Sequence, residues 1–313
     1  MADRRSILTG LGAGLAAAAL PVRARANDAL HIASIPLDAG AEAYYALDLG
    51  YFRDAGIDAQ VESIPSGAAI AAAVASGAVD VGFSNLISIA VAYKHNVPVT
   101  LLAPGSLYTA TIPTSVLMVP KNSPAKTARD LDGKTLAVNG LKTITQYASQ
   151  LWIDKNGGDS TTVHFIEMTF PQIVAALAAN RIDAAIVADP FIAQAKGGSR
   201  LLADAYDAIG ARYIIGCWFT TTQWVAAHPD VASRFAQVIA RTAQWANSHK
   251  PQSGAILAKY SKMDPQLAAT MLRVDYAPRF ARSEMQPVID LAARYGGLAA
   301  TFPAEELVYK AER

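Results

Sequence analysis

The 313-residue chain contains one cysteine, Cys217, so no internal disulfide can form, and we expect this side chain to be a small buried apolar group. The five histidines are dispersed, and none stands four residues from another. No set of cysteines, histidines or carboxylates has metal-ligand spacing, and no Gly-x-Ser-x-Gly or phosphate-binding glycine loop is present. These absences argue against a metalloenzyme or a serine hydrolase, and we expect no cofactor.

The chain also has almost no excess of positive over negative charge. The chain has 27 basic and 26 acidic residues, and only 17% of its residues are charged. This balance provides no basic face for nucleic acid or for anionic lipid. With 52% hydrophobic residues but no apolar run of the about 20 residues that a membrane span needs, the composition is that of a packed globular protein.

The N-terminal residues have the pattern of an export signal. Arg4-Arg5 precedes a small apolar run over residues 11–20, and Ala24-Arg25-Ala26 offers a small-x-small cleavage site. We therefore predict that residues 1–26 are a twin-arginine signal peptide, cleaved near Ala26, and that the mature protein is periplasmic. Without them 23 basic and 25 acidic residues remain, a net charge of −2.

The remaining chain contains an internal repeat. A shift of 103 positions places residues 61–83 on 164–186 without a gap, with Asp80 on Asp183 and Ser66 on Thr169. It also places the strand at 33–35 on 136–138. Each copy predicts alternating strands and helices, which form parallel βαβ units. The predicted strands lie near 30–35, 59–64, 79–84, 134–139, 163–168 and 183–188, and the helices near 41–55, 67–77, 143–156 and 170–180.

Two extended segments, 107–118 and 213–225, predict crossovers between two such α/β lobes, followed only by helices near 229–249, 251–261, 264–274 and 284–296. We thus expect a two-lobed α/β fold, in which parallel-sheet lobes are joined by two crossover strands around a hinged cleft. The predicted boundaries are residues 27–112 for the first part of lobe 1, 113–216 for lobe 2, and 217–313 for the return to lobe 1 and the C-terminal helices.

Ligands of open parallel sheets bind beyond the carboxyl ends of the strands. Here those positions carry small residues, hydroxyl groups and helix starts, whose free N–H groups attract negative charge. Asp80 and Asp183 lie at strand starts instead, so we interpret them as structural.

The order and spacing of short strings along the mature chain resemble a known family. They include residues 50–57 (GYFRDAGI), 76–82 (SGAVDVG), 119–124 (VPKNSP), 130–134 (DLDGK), 181–185 (RIDAA) and 189–191 (DPF). The chain resembles the nitrate/sulfonate/taurine group of ABC-transporter solute-binding proteins, which also includes binders of thiamine-pyrimidine precursors. The resemblance implies a type II-like periplasmic-binding-protein fold, and ligand contacts from Ser66-Gly67, Ser84-Asn85, residues 141–145 and Asp189. Where this chain has Asp189, the family often has glutamate.

Each candidate residue also has a structural interpretation. As an alternative to binding a ligand, capping a helix can be the whole role of Ser66, Thr143, Thr169 and Asp189. Asp38 can cap the helix at 41–55 or bind a donor on the ligand, Lys142 can be a solvated loop residue, and Tyr108 and Trp218 can be core residues. The full set of predicted ligand-binding residues is Leu37, Asp38, Ser66, Gly67, Ser84, Asn85, Tyr108, Leu141, Lys142, Thr143, Thr145, Thr169, Asp189 and Trp218.

The predicted function is that of a monomeric binding protein that delivers a small molecule to an ABC permease at the inner membrane. Helix starts and Lys142 favour an organic anion such as a sulfonate or carboxylate, whereas Asp38 and Asp189 favour an amine or an aminopyrimidine. An enzyme on the same fold is the alternative. A pyrimidine-synthesising relative would need a cysteine-rich iron-binding segment, and this chain has only Cys217.

Overall fold

The computed structural model describes residues 27–310, and the predicted signal peptide lies outside them. The strands are β1 (Asp28–Ser34), β2 (Ile57–Ser63), β3 (Val81–Asn85), β4 (Val99–Pro104), β5 (Ser106–Thr109), β6 (Ser115–Pro120), β7 (Thr135–Val138), β8 (His164–Glu167), β9 (Ala184–Ala188), β10 (Ser199–Ala203), β11 (Arg212–Ile214), β12 (Gly216–Thr221) and β13 (Asp275–Tyr276).

The helices alternate with these strands and then dominate the C-terminal third. They are α1 (Glu42–Asp48), α2 (Tyr51–Asp54), α3 (Gly67–Ser76), α4 (Leu86–Lys94), α5 (Ile144–Lys155), α6 (Phe170–Ala178), α7 (Phe191–Ala195), α8 (Thr222–Ala227), α9 (Pro229–Ser248), α10 (Lys250–Ser261), α11 (Pro265–Thr270) and α12 (Arg282–Arg294). Between residues 27 and 310, no helix combines the length and the apolarity that a membrane crossing requires.

Two five-stranded sheets form the centres of the two lobes. The first has the order β2-β1-β3-β12-β4, in which β1 is parallel to β2 and β3, and β12 is antiparallel to β3 and β4. The second has the order β10-β6-β9-β7-β8, with β7 parallel to β8 and β9. Since β12 follows the whole second sheet in the chain, the chain returns to the first lobe after building the second. The predicted two-lobed α/β fold is confirmed, but the sheets are mixed rather than parallel, because β12 in the first and β6 in the second are antiparallel to their neighbours.

A third, three-stranded sheet of order β11-β5-β13 stands where the chain passes between the lobes. The predicted crossover at 107–118 is two strands rather than one, because β5 pairs in this small sheet and β6 pairs in the second lobe. The predicted crossover at 213–225 is likewise divided into β11, β12 and the start of α8.

The internal repeat is visible in equivalent contacts. Asp80 Oδ2 accepts a hydrogen bond of 2.8 Å from the His31 N–H, and Asp183 Oδ2 accepts one of 2.9 Å from the Thr135 N–H. The structural role predicted for both aspartates is confirmed. His31 and Thr135 are 104 positions apart, so the gap-free shift of 103 is wrong by one residue in the first strand of the repeat.

Several element boundaries differ from the prediction. The helix expected at 41–55 is broken into α1 and α2, because Gly50 adopts a left-handed conformation with a φ of 73°. The helix expected at 264–274 ends at Thr270, and β13 follows it, so the tail is not purely helical. The sequence prediction assigned no element to α4, β4, α7 or β10.

The apolar core lies on both faces of each sheet. Against the first sheet, Trp218 contacts Phe83 and Phe235 edge to face, with ring centroids 5.2 and 5.8 Å apart. Cys217 is fully buried in the core, as predicted. Against the second sheet, Phe170 stacks on Phe191 at 5.4 Å. Burial of these large side chains fixes the strands, and thereby the loops that follow them.

Candidate functional site between the two sheets

The carboxyl ends of the parallel strands in the two lobes face each other. Leu37, which follows β1 of the first lobe, packs against the second-lobe cluster that contains Phe170 and Val187. Asp189, which follows β9 of the second lobe, lies near enough to Asp38 for the two carboxylates to interact. The loops in which the sequence places its ligand contacts therefore meet along this boundary.

The start of α3 is the most distinctive feature on the first-lobe side. The Ser66 hydroxyl accepts the Ala69 N–H at 3.2 Å, so the predicted capping role is observed. Gly67 follows as the first helical residue, and a Cβ added to it would lie 2.5 Å from the Ser84 Oγ. Ser84 is only 1% exposed, and its hydroxyl has no hydrogen-bond partner within residues 27–310. A buried, unpaired hydroxyl thus lies directly against a helix N-terminus.

The adjacent Asn85 caps α4. Its Oδ1 accepts the Ser88 N–H at 2.9 Å, and its Nδ2 donates to the Ser88 Oγ at 2.8 Å. Both ends of the amide are therefore engaged locally. Asn85 shapes the loop beside Ser84 while leaving the Ser84 hydroxyl unpaired.

On the second-lobe side, residues 140–145 form a loop held by its own hydroxyl groups. The Thr143 Oγ1 donates to the Gly140 carbonyl at 2.7 Å and lies 2.9 Å from the Thr145 Oγ1. Leu141 and Lys142 are exposed at the tip of this loop, and Lys142 has a left-handed φ of 57°. The loop therefore presents an ammonium group and an apolar side chain on a fixed turn.

Thr169, at the next strand end, forms a capping box with Gln172 at the start of α6. The Gln172 Oε1 accepts hydrogen bonds from the Thr169 N–H at 3.0 Å and from the Thr169 hydroxyl at 2.9 Å. The exposed Thr169 therefore has the capping role that the sequence analysis gave as one of its two alternatives.

Asp38 does not cap α1, and protein groups bind its carboxylate. Its carboxylate is 2% exposed and receives hydrogen bonds from the Arg273 Nε and Nη2 at 2.9 and 2.6 Å. The Val274 N–H donates to its other oxygen at 2.8 Å, and the Tyr45 hydroxyl donates at 3.1 Å. The cap prediction is wrong because α1 begins only at Glu42, without a side-chain cap. The ion pair with Arg273 uses the carboxylate instead.

Asp189 is buried, with 8% exposure, and the capping alternative is wrong for it too, since α7 begins at Phe191 and has no side-chain cap. Burial is the largest cause that raises its pKa to about 7, and the neighbouring Asp38 raises it further. Lys196 and the nearby Leu272 N–H act in the opposite direction. Near neutral pH the side chain is therefore present in both protonation states.

The two aromatic candidates are core residues. Trp218 is fully buried and donates its Nε1–H to Glu42 Oε2 at 2.7 Å. Tyr108 is also fully buried, stacks on Tyr213, and donates its hydroxyl to Asp207 at 2.5 Å. The expectation that they offer a ring to the ligand is corrected, because protein atoms enclose both rings.

The sequence prediction missed Arg273 and Glu42. Arg273 was placed inside a predicted helix, although its position between Leu272 and Val274 was a weak sign of burial. Glu42 is fully buried, its Oε1 has no partner within the described residues, and burial raises its pKa well above the usual range. The sequence contained no sign that Glu42, a glutamate in the first turn of a helix, is buried.

Two surface cavities lie elsewhere. One of about 480 Å³ is lined by Trp152, Lys155, Asn156, Asp204, Asp207 and Ala208. A neighbouring one of about 310 Å³ reaches Pro287 and Arg294 on α12. Neither includes any of the predicted ligand-binding residues.

The chain is similar in sequence to part of one curated protein. It is 27% identical over 192 residues to the taurine-binding periplasmic protein of Escherichia coli (strain K12), which covers 61% of this chain and 58% of that protein. The chain thus matches less than two thirds of the length of this curated relative.

Solved structures share the fold. The periplasmic aliphatic sulphonate binding protein SsuA from Escherichia coli superposes with a TM-score of 0.72 at 19% identity, covering 91% of this chain and 93% of that one. The periplasmic nitrate-binding protein NrtA from Synechocystis PCC 6803 gives 0.73 at 14% identity, covering 89% and 84%. Residues 40–253 match the family described as NMT1/THI5 like, which is more than half of the chain. The chain therefore belongs to the NMT1/THI5-like family.

Proposed function

We propose that this protein is the periplasmic solute-binding component of an ABC importer, and that it holds one small organic anion between its two lobes. It would then bind and release its solute unchanged. The permease at the inner membrane would be its partner, and the binding protein would act as a monomer. In this proposal the first lobe receives the anionic group at the start of α3, and closure brings the 140–145 loop onto the other side.

One observation carries the ligand class: the unpaired Ser84 hydroxyl against Gly67. A buried hydroxyl without a partner costs free energy, so a structure retains one where a ligand supplies the missing hydrogen bond. The free N–H groups of α3 add a positive partial charge at the same point, and its first turn contains no acidic residue. Together these groups suit an oxyanion.

Asp38 and Asp189 repel a bound anion less than two uncompensated carboxylates would. Asp38 is compensated by the Arg273 guanidinium, and Arg273 is itself buried. Asp189, with a pKa of about 7, is partly neutral at neutral pH and can then donate a hydrogen bond rather than repel. Lys142, at the tip of the opposite loop, is available to approach the ligand on closure.

The relatives support the same class. The names of the similar proteins include taurine, aliphatic sulphonate and nitrate, and each of these is or contains an oxyanion. The second candidate is an amine-bearing or aminopyrimidine ligand. It is favoured by Asp189, whose ionised form would pair with a cationic or donor group.

Isothermal titration calorimetry with taurine, ethanesulfonate, nitrate, benzoate and an aminopyrimidine tests the proposal. We expect one oxyanion solute to bind with a stoichiometry of one per chain. Ser84→Ala should weaken that binding about tenfold or more, since a hydrogen bond to a charged group contributes about 1.5–3 kcal/mol. Gly67→Ala should abolish it, because the added methyl would occupy the space against the Ser84 Oγ.

Two control variants are available. Ser76→Ala removes an exposed hydroxyl at the far end of α3, and Gly197→Ala adds a methyl that meets nothing within 4 Å. Both should bind as the wild type does. Binding that is unaffected by Ser84→Ala and Gly67→Ala would contradict the site, and a solute recovered chemically altered would indicate an enzyme.

Export is part of the proposal. Because the translocase recognises a paired arginine, replacing Arg4-Arg5 by Lys-Lys should retain the precursor in the cytoplasm. Cell fractionation, with N-terminal sequencing of the periplasmic protein, checks this. The mature chain should begin at or within two residues of Asn27, and undiminished periplasmic levels of the variant would contradict the twin-arginine route.

A further inference from the structure

The helix α12 lies against elements of both lobes. It packs on α4 of the first lobe, on α5 of the second, and on β11 of the small sheet between them. Its 13 residues give it a length of about 20 Å, because an α-helix rises about 1.5 Å per residue. Its buried residues Val288 and Leu291 belong to the apolar cluster that also contains Ile89 of α4 and Leu151 of α5. The helix thus spans the boundary between the lobes.

The segment that follows α12 returns along the helix and joins the first lobe. The Gln286 amide of α12 donates a hydrogen bond to the Phe302 carbonyl at 3.0 Å. The Phe302 ring stacks on Tyr93 of α4, with ring centroids 5.9 Å apart. Further on, the Leu307 carbonyl accepts a hydrogen bond of 3.0 Å from the hydroxyl of Thr100 in β4. These contacts attach α12 and its returning segment to the first lobe.

The contact of α12 with the second lobe is weaker. Just after the helix, the Tyr295 hydroxyl donates to Asp154 Oδ2 of α5 at 2.7 Å, and the Tyr295 ring stacks on Tyr147 at 6.0 Å. Within residues 27–310, no other side-chain hydrogen bond joins residues 282–310 to the second sheet or to α5–α7. The surface cavity of about 310 Å³ lies along the same seam, with α12 on one side and α5 on the other.

We propose that α12 is a brace that moves with the first lobe, and that the Tyr295–Asp154 hydrogen bond couples it to the second lobe only while the lobes are in contact. In the described arrangement this bond coexists with the packing of Leu37 against the second-lobe cluster. Separation of the lobes moves α5 along α12 and breaks the bond. Because the bond is present in one state and absent from the other, it stabilises the contact state, whichever solute binds.

Double electron–electron resonance of the solute-free mature protein tests the brace. Spin labels are attached to cysteines introduced at Ala72 of α3 and Ala175 of α6, which are exposed and equivalent in the two copies of the repeat. The native Cys217 is fully buried and does not compete for the label. We expect Tyr295→Phe to raise the ratio of long to short interlobe distances about tenfold, since the loss of one hydrogen bond to a charged group changes an equilibrium constant by about that factor.

Tyr260→Phe is the matched control. The Tyr260 hydroxyl also donates to an aspartate, Asp48, at 3.3 Å, but both residues belong to the first lobe. This variant should keep the wild-type distances. Gly297→Ala is an independent perturbation of the seam, because an added Cβ would lie 2.5 Å from the Tyr147 hydroxyl. It should lengthen the interlobe distances as Tyr295→Phe does.

Wild-type distances in both Tyr295→Phe and Gly297→Ala would overturn the brace, and so would an equal change in Tyr260→Phe. Circular dichroism identifies a variant that does not fold, and the other seam variant then decides the matter. Since no solute is added, failure of the brace is separate from failure of the proposed transport function, which the calorimetry tests.

Discussion

At the scale of residues, three buried polar side chains of the first lobe have different roles. Asp38 is fully bonded, and its ion pair with Arg273 joins positions far apart in the chain. The Ser84 hydroxyl has no hydrogen-bond partner within residues 27–310 and lies against a helix start, which suits a ligand contact. Glu42 accepts a hydrogen bond from Trp218 at one oxygen and is otherwise enclosed, so burial raises its pKa and favours the neutral form. Burial alone therefore does not identify a site, and the partners of each group decide its role.

The buried Glu42 predicts a pH dependence of stability. Because its pKa is raised in the folded state, the folded protein retains a proton that the unfolded chain releases above about pH 4.3. Stability should therefore fall as the pH rises from that value toward the folded pKa, by up to about 1.4 kcal/mol per pH unit. Glu42→Gln should remove this part of the decline in urea unfolding measured at several pH values. Glu62→Gln, at an exposed position, should leave it intact, and identical slopes for all three proteins would contradict the assignment.

At the scale of elements, the repeat made half of the fold predictable. The strands β1–β3 and β7–β9 and the helices α3, α5 and α6 follow from apolar patterns and caps that are local in the sequence. The gap-free shift of 103 fits the helix caps Ser66 and Thr169 and the aspartates Asp80 and Asp183, and it could not reveal the one-residue offset that precedes them. The sequence could not show that β5 and β6, or β11 and β12, are separate strands. Their local patterns are alike, and only their different pairing partners distinguish them.

The candidate site was predictable to a similar extent. The sequence placed Ser66-Gly67, Ser84 and the loop at 141–145 at strand ends, and these positions follow from the elements before them. The ion pair of Asp38 was not predictable, because Arg273 lies 235 positions away and in a segment with a helical pattern. The sequence also could not predict that Trp218 and Tyr108 are buried in the core. The local sequence around an aromatic residue in a strand does not show which face of the sheet its side chain occupies.

At the scale of the whole molecule, the account requires that both lobes hold the solute. Two sheets are joined through the small sheet of β5, β11 and β13, and their strand ends meet at Leu37 and Asp189. A ligand stabilises a closed arrangement only by its differential affinity for that state. Contacts from a single lobe would give binding without closure.

Hydrogen–deuterium exchange of the mature protein, with and without the solute found by calorimetry, tests this claim most directly. The account predicts slower exchange at residues 66–70 and 84–88 of the first lobe together with residues 140–146 of the second. Solute-dependent protection of only one lobe would contradict it. Protection confined to the surface cavity beside Trp152 and Asp204 would contradict it as well, and would move the binding site away from the boundary between the lobes.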